Sequence, residues 1–349
     1  MMISQPQLLA DVASPSASAP GTVPPAPDTT RRVRWIGDGT AHVLDCAPLA
    51  DGGALGTYAT FPIAGWTRQS SGDVAPDGNS AVHVTPTEVA CVLADGTVRW
   101  RIALDEPARS SYARADCAFS LDGRQLWLYL PDAMLGRGAD RWWVLDPADG
   151  SLLAGTTLPT VGQGAAHAMH PDGRQVILDL GEGQDGLYLF RGGVEGDRLV
   201  VEEYPWHDQG CAALAPDGRS FMTLNHEEDE ISFWSFPEGQ RRLSVTLDAF
   251  GPPVVPVRTD DDPEVEELAR FGYHGGYVDD ARAMVLIDDT GDMEEYRHFL
   301  VDVATGRPLT QLRIAATETP TLLGDGSWLS IGAGGGVARW TVPPLDPTR

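Results

Sequence analysis

The sequence predicts an all-β chain, a seven-bladed β-propeller of four-stranded antiparallel blades, with a six-bladed ring as the alternative. Three observations predict it. A hairpin signature recurs at nearly constant spacing, a second hairpin follows each first one, and residues 31–349 contain no helical pattern longer than about ten residues.

The signature is a short apolar strand, a Pro-Asp-Gly-type turn and a second apolar strand. It reads VAPDGNSAVHV at Asp77, AFSLDGRQLWLYL at Asp122, AMHPDGRQVILDL at Asp172 and ALAPDGRSFMTL at Asp217. It returns as YVDDARAMVLI at Asp280 and TLLGDGSWLSI at Asp325, with spacings of 45, 50, 45, 63 and 45 residues. Asp-Gly supplies the positive φ that a two-residue hairpin turn demands. Ala281 lacks that freedom, so its turn is expected to differ in type.

The second hairpins are clearest in RWWVLDPADGSLLAGTTL and RHFLVDVATGRPLTQLRI, and weaker in EISFWSFPEGQRRLSVTL and EVACVLADGTVRWRIAL. Alternating apolar residues rich in β-branched and aromatic types mark them as strands. Each unit is thus four strands in about 45 residues. Such a unit has two apolar faces and must bury both, which stacking neighbours achieves. Residues 31–343 hold close to seven units of that length. The N-terminal unit contributes three strands (33–36, 41–45 and 57–61), and the last stops after a third strand at 337–342. Pairing of N- and C-terminal strands is therefore expected to close the set.

The PDGR-type first hairpins and the VLDPADGSLL and LVDVATGRPL second hairpins resemble the WD40-like, YVTN-like and TolB-like β-propeller superfamily over residues 31–343. The resemblance implies that each blade's first strand lines a central channel and that the Asp-Gly turns lie on one face. The loops between blades then lie on the other. It assigns no chemistry, because that superfamily hosts scaffolds, lactonases, peptidase gates and cofactor binders.

Composition narrows the function. The 349 residues carry 50 Asp+Glu against 25 Lys+Arg, a formal net charge of -25, and every one of the 25 is arginine. That charge argues against nucleic acid and anionic membrane as partners. Without lysine there is no P-loop or Schiff-base lysine. No apolar run reaches membrane-spanning length, and the N-terminal segment is a poor secretory signal. Cys46, Cys91, Cys117 and Cys211 form no CxxC pair, which fits reduced thiols and a cytoplasmic location. Residues 1–30, rich in Ala, Pro and Ser, are expected to be a flexible tail, although Ile3, Leu8 and Leu9 offer a chance to pair. Residues 344–349 form a short C-terminal tail. An acidic insertion near 251–270 reads as a short helix with Asp262 as N-cap, Pro263 at the first helical position, and Glu264 and Glu266 at the positive dipole end.

Loops on a rigid scaffold usually carry function, so the candidates come from the interblade face. Trp66, Tyr112, Arg114, Asp116, Trp206, His207, Tyr273 and His274 are the expected ligand or partner contacts. Arg114 is the choice for an anionic group, and Trp66 and Trp206 for a partner surface. A metal site from His207, His226, His274 and one carboxylate suits imidazole-oxygen chemistry, but no HExxH spacing supports it. DDTGDMEEYRHF departs from a calcium loop at Met293 and Phe299. No G-x-S-x-G elbow is present. The resulting expectation is a monomeric, non-enzymatic scaffold without a cofactor, presenting an acidic, loop-rich face to a protein or peptide, in particular a basic one. The alternatives are a propeller hydrolase or lyase, with or without a metal, and a small-molecule binder at the channel.

Overall fold

The computed structural model describes residues 3–4, 7–12, 32–37, 40–45, 56–67, 69–109, 112–252, 269–289, 296–314, 320–331 and 337–342. The expected insertion helix at 262–269 and the tail at 344–349 lie almost wholly outside them, as does Cys46. The chain divides into two compact units. A four-sheet unit comprises Ser18–Asp51 and Leu55–Gly210. A three-sheet unit comprises Cys211–Arg349 with Met1–Ala17 and Gly52–Ala54.

The described strands form seven sheets, which agrees with the count of seven rather than six. In the four-sheet unit, the first sheet has three strands over 32–62. The second (71–103), third (116–158) and fourth (164–203) each have four strands in sequential antiparallel order. In the three-sheet unit, the fifth sheet (209–246) repeats that order. The sixth (270–312) has its first strand split into Arg270–Phe271 and Gly276–Tyr277, both paired with Arg282–Asp288.

The first dozen residues correct the expectation of a tail running through residue 30. Gln7–Val12 pairs antiparallel with Val337–Thr341 and completes the seventh sheet as its fourth strand. Ile3–Ser4 adds parallel to the outer strand of the sixth. The last sheet has three strands of its own and an open edge, so this short apolar segment gains a full ladder of hydrogen bonds there. N- and C-terminal strands do pair, as the strand count required.

Alternation explains why the sheets stack. In the third sheet Leu126, Leu128 and Leu130 join Val82, Val84, Val89 and Cys91 of the second sheet in one core. The intervening Trp127 and Tyr129 face Val176, Leu178 and Leu180 of the fourth. All five residues of Leu126–Leu130 are fully buried. At about 1.5–3 kcal/mol per large side chain, such two-faced burial stabilises a sheet that could not stand alone. In the three-sheet unit, Val285, Ile287, Phe299 and Val301 pack against Met222, Leu224, Ile231 and Phe233, while Met284, Leu286 and Leu300 pack against Trp328. The only described α-helix is the four-residue Asp132–Leu135.

The Asp-Gly turns are longer than the two-residue type expected. Ala75 N–H donates to the Ser80 carbonyl and Gly78 N–H to the Ala75 carbonyl, so four residues make the turn. The same pair of bonds recurs at 120–125, 170–175 and 215–220. Only the glycine is left-handed, with φ of 71°, 67°, 70° and 71° at Gly78, Gly123, Gly173 and Gly218. The aspartate serves through its side chain, whose Oδ1 accepts the amide two residues on, as Asp122 does from Arg124 at 3.0 Å and Asp172 from Arg174 at 2.7 Å. At Ala281 the turn differs as expected. Val278 N–H bonds the Arg282 carbonyl across a shorter loop, and Asp279 takes the acceptor role.

Candidate binding face

Successive antiparallel strands put the Asp-Gly turns at one end of each sheet, and the interblade and strand-two-to-strand-three loops at the other. In the four-sheet unit these latter loops are tied into one surface. Arg137 Nη1 donates to the carbonyls of Pro86 (2.8 Å) and Asp105 (2.7 Å). Ala108 N–H reaches the Leu135 carbonyl, and Arg114 N–H the Gln163 carbonyl at 2.9 Å. Val161 N–H then donates to Glu182 Oε1 at 2.6 Å.

Two buried carboxylates hold this surface from beneath. Asp140, fully buried, accepts from the Tyr129 hydroxyl, the Thr160 hydroxyl and Gly162 N–H through Oδ2, each at 2.8 Å, and from Ala133 N–H through Oδ1 at 2.9 Å. One side chain thus fixes the 131–139 and 159–163 loops together. Burial, reinforced by the Asp140 charge, pushes the Tyr129 phenol far above its ordinary pKa, so it remains a donor. Gly162 is required there, because a Cβ would fall 2.0 Å from the Tyr129 oxygen. Asp132, also fully buried, lies 2.9 Å from Arg137 Nε and bonds Arg141 Nε. The Arg141 guanidinium lies 4.3 Å from the centre of the Trp143 ring.

The loops of the adjoining fourth sheet, linked to the 159–163 loop through Glu182, carry rings and acids. The His207 ring meets Tyr188 edge-on at 5.1 Å between centroids, and Trp206 stacks on Tyr204 at 5.0 Å with 12° between planes. The Glu182 carboxylate pushes the Tyr188 phenol above its ordinary pKa, with smaller contributions from burial, Glu203, Asp208 and Asp185. The charges of Glu182, Glu203, Asp208 and Asp185 all act on this one phenol. The turn 183–186 shapes the cluster. Gly183, at φ 68°, would place a Cβ 2.4 Å from the Gln163 amide, and Gly186, at φ 125°, one 2.9 Å from Asp208 Oδ1. Asp208 itself adopts a φ of 60°, a conformation that Asp tolerates better than most residues.

The expected site residues divide. Trp206 and His207 belong to this cluster. Tyr112 projects almost wholly into solvent at 98% exposure, and Arg114 is exposed with no carboxylate in ion-pair range among the described residues. Trp66 instead packs against the core of the first two sheets. Asp116 is committed to structure. Its Oδ2 accepts from His167 N–H at 3.0 Å and from His167 Nδ1–H at 2.7 Å. His167 Nε2 accepts in turn from the Trp142 indole at 3.0 Å. An indole can only donate, so His167 carries its proton on Nδ1 and has no nitrogen left for chemistry. Tyr273 and His274 are exposed between the two short strands of the sixth sheet, and His226 on the 225–230 loop of the fifth. Among the described residues no three His, Cys, Asp or Glu side chains are placed to hold a metal ion. Tyr188, Glu182 and Asp140 were missed because they read as ordinary strand and loop residues. The one available signal was the Gly-Glu-Gly-Gln-Asp-Gly run at 181–186.

No protein-family model matches the chain, and no curated protein matches it in sequence. Solved structures do. BBS1N in complex with ARL6DN, soaked with mercury, aligns at TM-score 0.53 and 11% identity, covering 99% of each chain. The lead-soaked form of that complex aligns at 0.52 and 12%, covering 100% of both. BamB from Moraxella catarrhalis aligns at 0.49 and 11%, covering 92% of this chain and 84% of that one. At such identities the likeness is one of fold. The seven antiparallel sheets and the alignment with BBS1N give the chain a seven-bladed β-propeller fold.

Proposed function

We propose that this propeller is a non-enzymatic binding protein whose loop face receives a cationic segment of a protein or peptide partner. The observation that carries the reading is the Tyr188–His207 and Tyr204–Trp206 ring pairs set among Glu182, Asp185, Glu203 and Asp208. Aromatic faces and carboxylates are the two groups that bind guanidinium and ammonium best, by cation–π contact and charge-assisted hydrogen bonds. The anchoring by Asp140 adds to it, since a pre-ordered face loses less entropy on binding. The fold neighbour crystallised as a complex with ARL6DN is consistent with a propeller that meets a protein, at the level of fold analogy. Monomeric state and cytoplasmic location are parts of the same proposal.

The test is a fluorescence-anisotropy titration with a labelled Arg-Ser repeat peptide and its Glu-Ser counterpart. Binding of the first alone, weakening steeply between low and physiological salt, is expected. Equal affinity for both peptides, or none for either, contradicts the reading.

A further inference from the structure

Each outer strand of a stacked sheet leaves one row of backbone N–H and C=O groups without a ladder partner, and such edges are ordinarily protected by charge, proline or cover. Six of the seven outer strands here follow that rule. The first sheet's ends in Pro62, the second's carries Arg99 and Arg101, and the fourth's carries Arg198, Glu202 and Glu203. The fifth's begins with Arg241 and Arg242, the sixth's begins with Pro308 and is covered by Ile3–Ser4, and the seventh's contains Asp11. The third sheet's outer strand, Leu152–Leu158, reads LLAGTTL, with no charge and no proline over seven residues. Among the described residues it is paired only with Asp140–Leu145.

A second observation coincides with it. Of the exposed large apolar side chains, Leu152 (57%), Leu153 (37%) and Val98 (42%) lie at the same, turn-side end of the adjacent outer strands of the third and second sheets. Trp100, of the second sheet's outer strand, meets the turn that leads into Leu152–Leu158: its indole donates to the Pro147 carbonyl at 2.8 Å and its ring lies against Gly150. An open row of ladder groups beside an apolar patch accepts one shape of occupant, an extended backbone with apolar residues at alternate positions. The chain's net charge of -25 selects a neutral or cationic one.

We propose that Leu152–Leu158 is a strand-addition site for an extended, apolar and non-acidic segment of a protein partner, separate from the loop face. The test uses the full chain and a labelled Arg-Thr-Val-Thr-Val-Thr-Arg peptide, compared with a version carrying proline in place of the central Thr. Binding of the first, with slowed amide exchange confined to 152–158 and at least tenfold weaker binding of the proline version, is expected. The double variant Leu153→Arg, Thr157→Arg changes two exposed side chains, so the fold survives (checked by its melting temperature), and it should bind at least tenfold more weakly. Undiminished binding to the double variant overturns the proposal. So does protection elsewhere in the chain, absence of binding, or a peptide-free dimer that the double variant dissociates, which would make a second copy the occupant.

Discussion

The two ends of the sheets are built on different principles. At the turn end, each crossing is closed locally: a glycine near φ 70° and an aspartate whose side chain accepts the amide two residues on, in the second through fifth sheets alike. At the loop end of the four-sheet unit nothing repeats. The loops are held by Asp140 and Asp132, which gather donors and cations from positions up to 22 residues distant in sequence. Repetition at one end fixes register, while long-range polar anchoring at the other frees the loop sequences to carry rings and acids. A mutation should therefore cost most where one buried group serves many partners, and least where a turn holds only itself.

The largest effect is expected from Asp140→Ala. It removes a carboxylate that accepts four hydrogen bonds and strands the Tyr129 and Thr160 hydroxyls and the Gly162 and Ala133 amides. A loss of about 3 kcal/mol or more is expected, read as a lower urea midpoint. Asp140→Asn, which keeps an acceptor oxygen, should lose less. If Asp140→Ala unfolds with the wild type, the anchoring argument fails.

Next comes Gly150→Ala at the turn end. A Cβ there would stand 2.8 Å from the Trp100 ring at a φ of 76°. About 1–3 kcal/mol of overpacking is expected, with a shift in Trp100 fluorescence. An unchanged melting temperature would show that Trp100 can move aside freely.

Two smaller effects depend on pH. Burial lowers the pKa of His83, partly offset by Glu88 at 3.6 Å, so the folded state prefers the neutral ring. The unfolded chain then binds the extra proton, and stability should fall as pH drops below about 6.5. His83→Gln should flatten that slope between pH 7 and the lowered folded value. Burial raises the pKa of Asp122, but the Arg124 amide and Ser120 hydroxyl outweigh it and the net shift is downward. Its contribution is present above about pH 4 and lost as acid protonates it. Asp122→Asn should lose less stability than the wild type between pH 5 and pH 3, and an identical acid slope would remove Asp122 from the account.

The same contrast explains what could be read from sequence. The sheets were legible because apolar runs such as Leu126–Leu130 recur at regular spacing, and because Asp-Gly punctuates all but one of the first hairpins. The turn length was not, since Asp122 supplies an Asx acceptor and not a second left-handed residue. Trp206 and His207 were found as loop aromatics. Trp66 and Asp116 belong to packing and to the His167–Trp142 chain, which bridges residues 51 positions apart and leaves no local trace. Tyr188 and Glu182 were missed for the same reason. Their meeting depends on register between sheet and loop, a relation that no short motif encodes.

The proposed cation recognition at the loop end is tested by removing the same two charges from either end and titrating each variant with the Arg-Ser repeat peptide. Glu182→Gln with Asp208→Asn should weaken binding at least tenfold, while Asp122→Asn with Asp172→Asn should change it less than twofold. Equal losses from the two pairs would show that only the net charge of the chain attracts the peptide, and would contradict a site at the loop face.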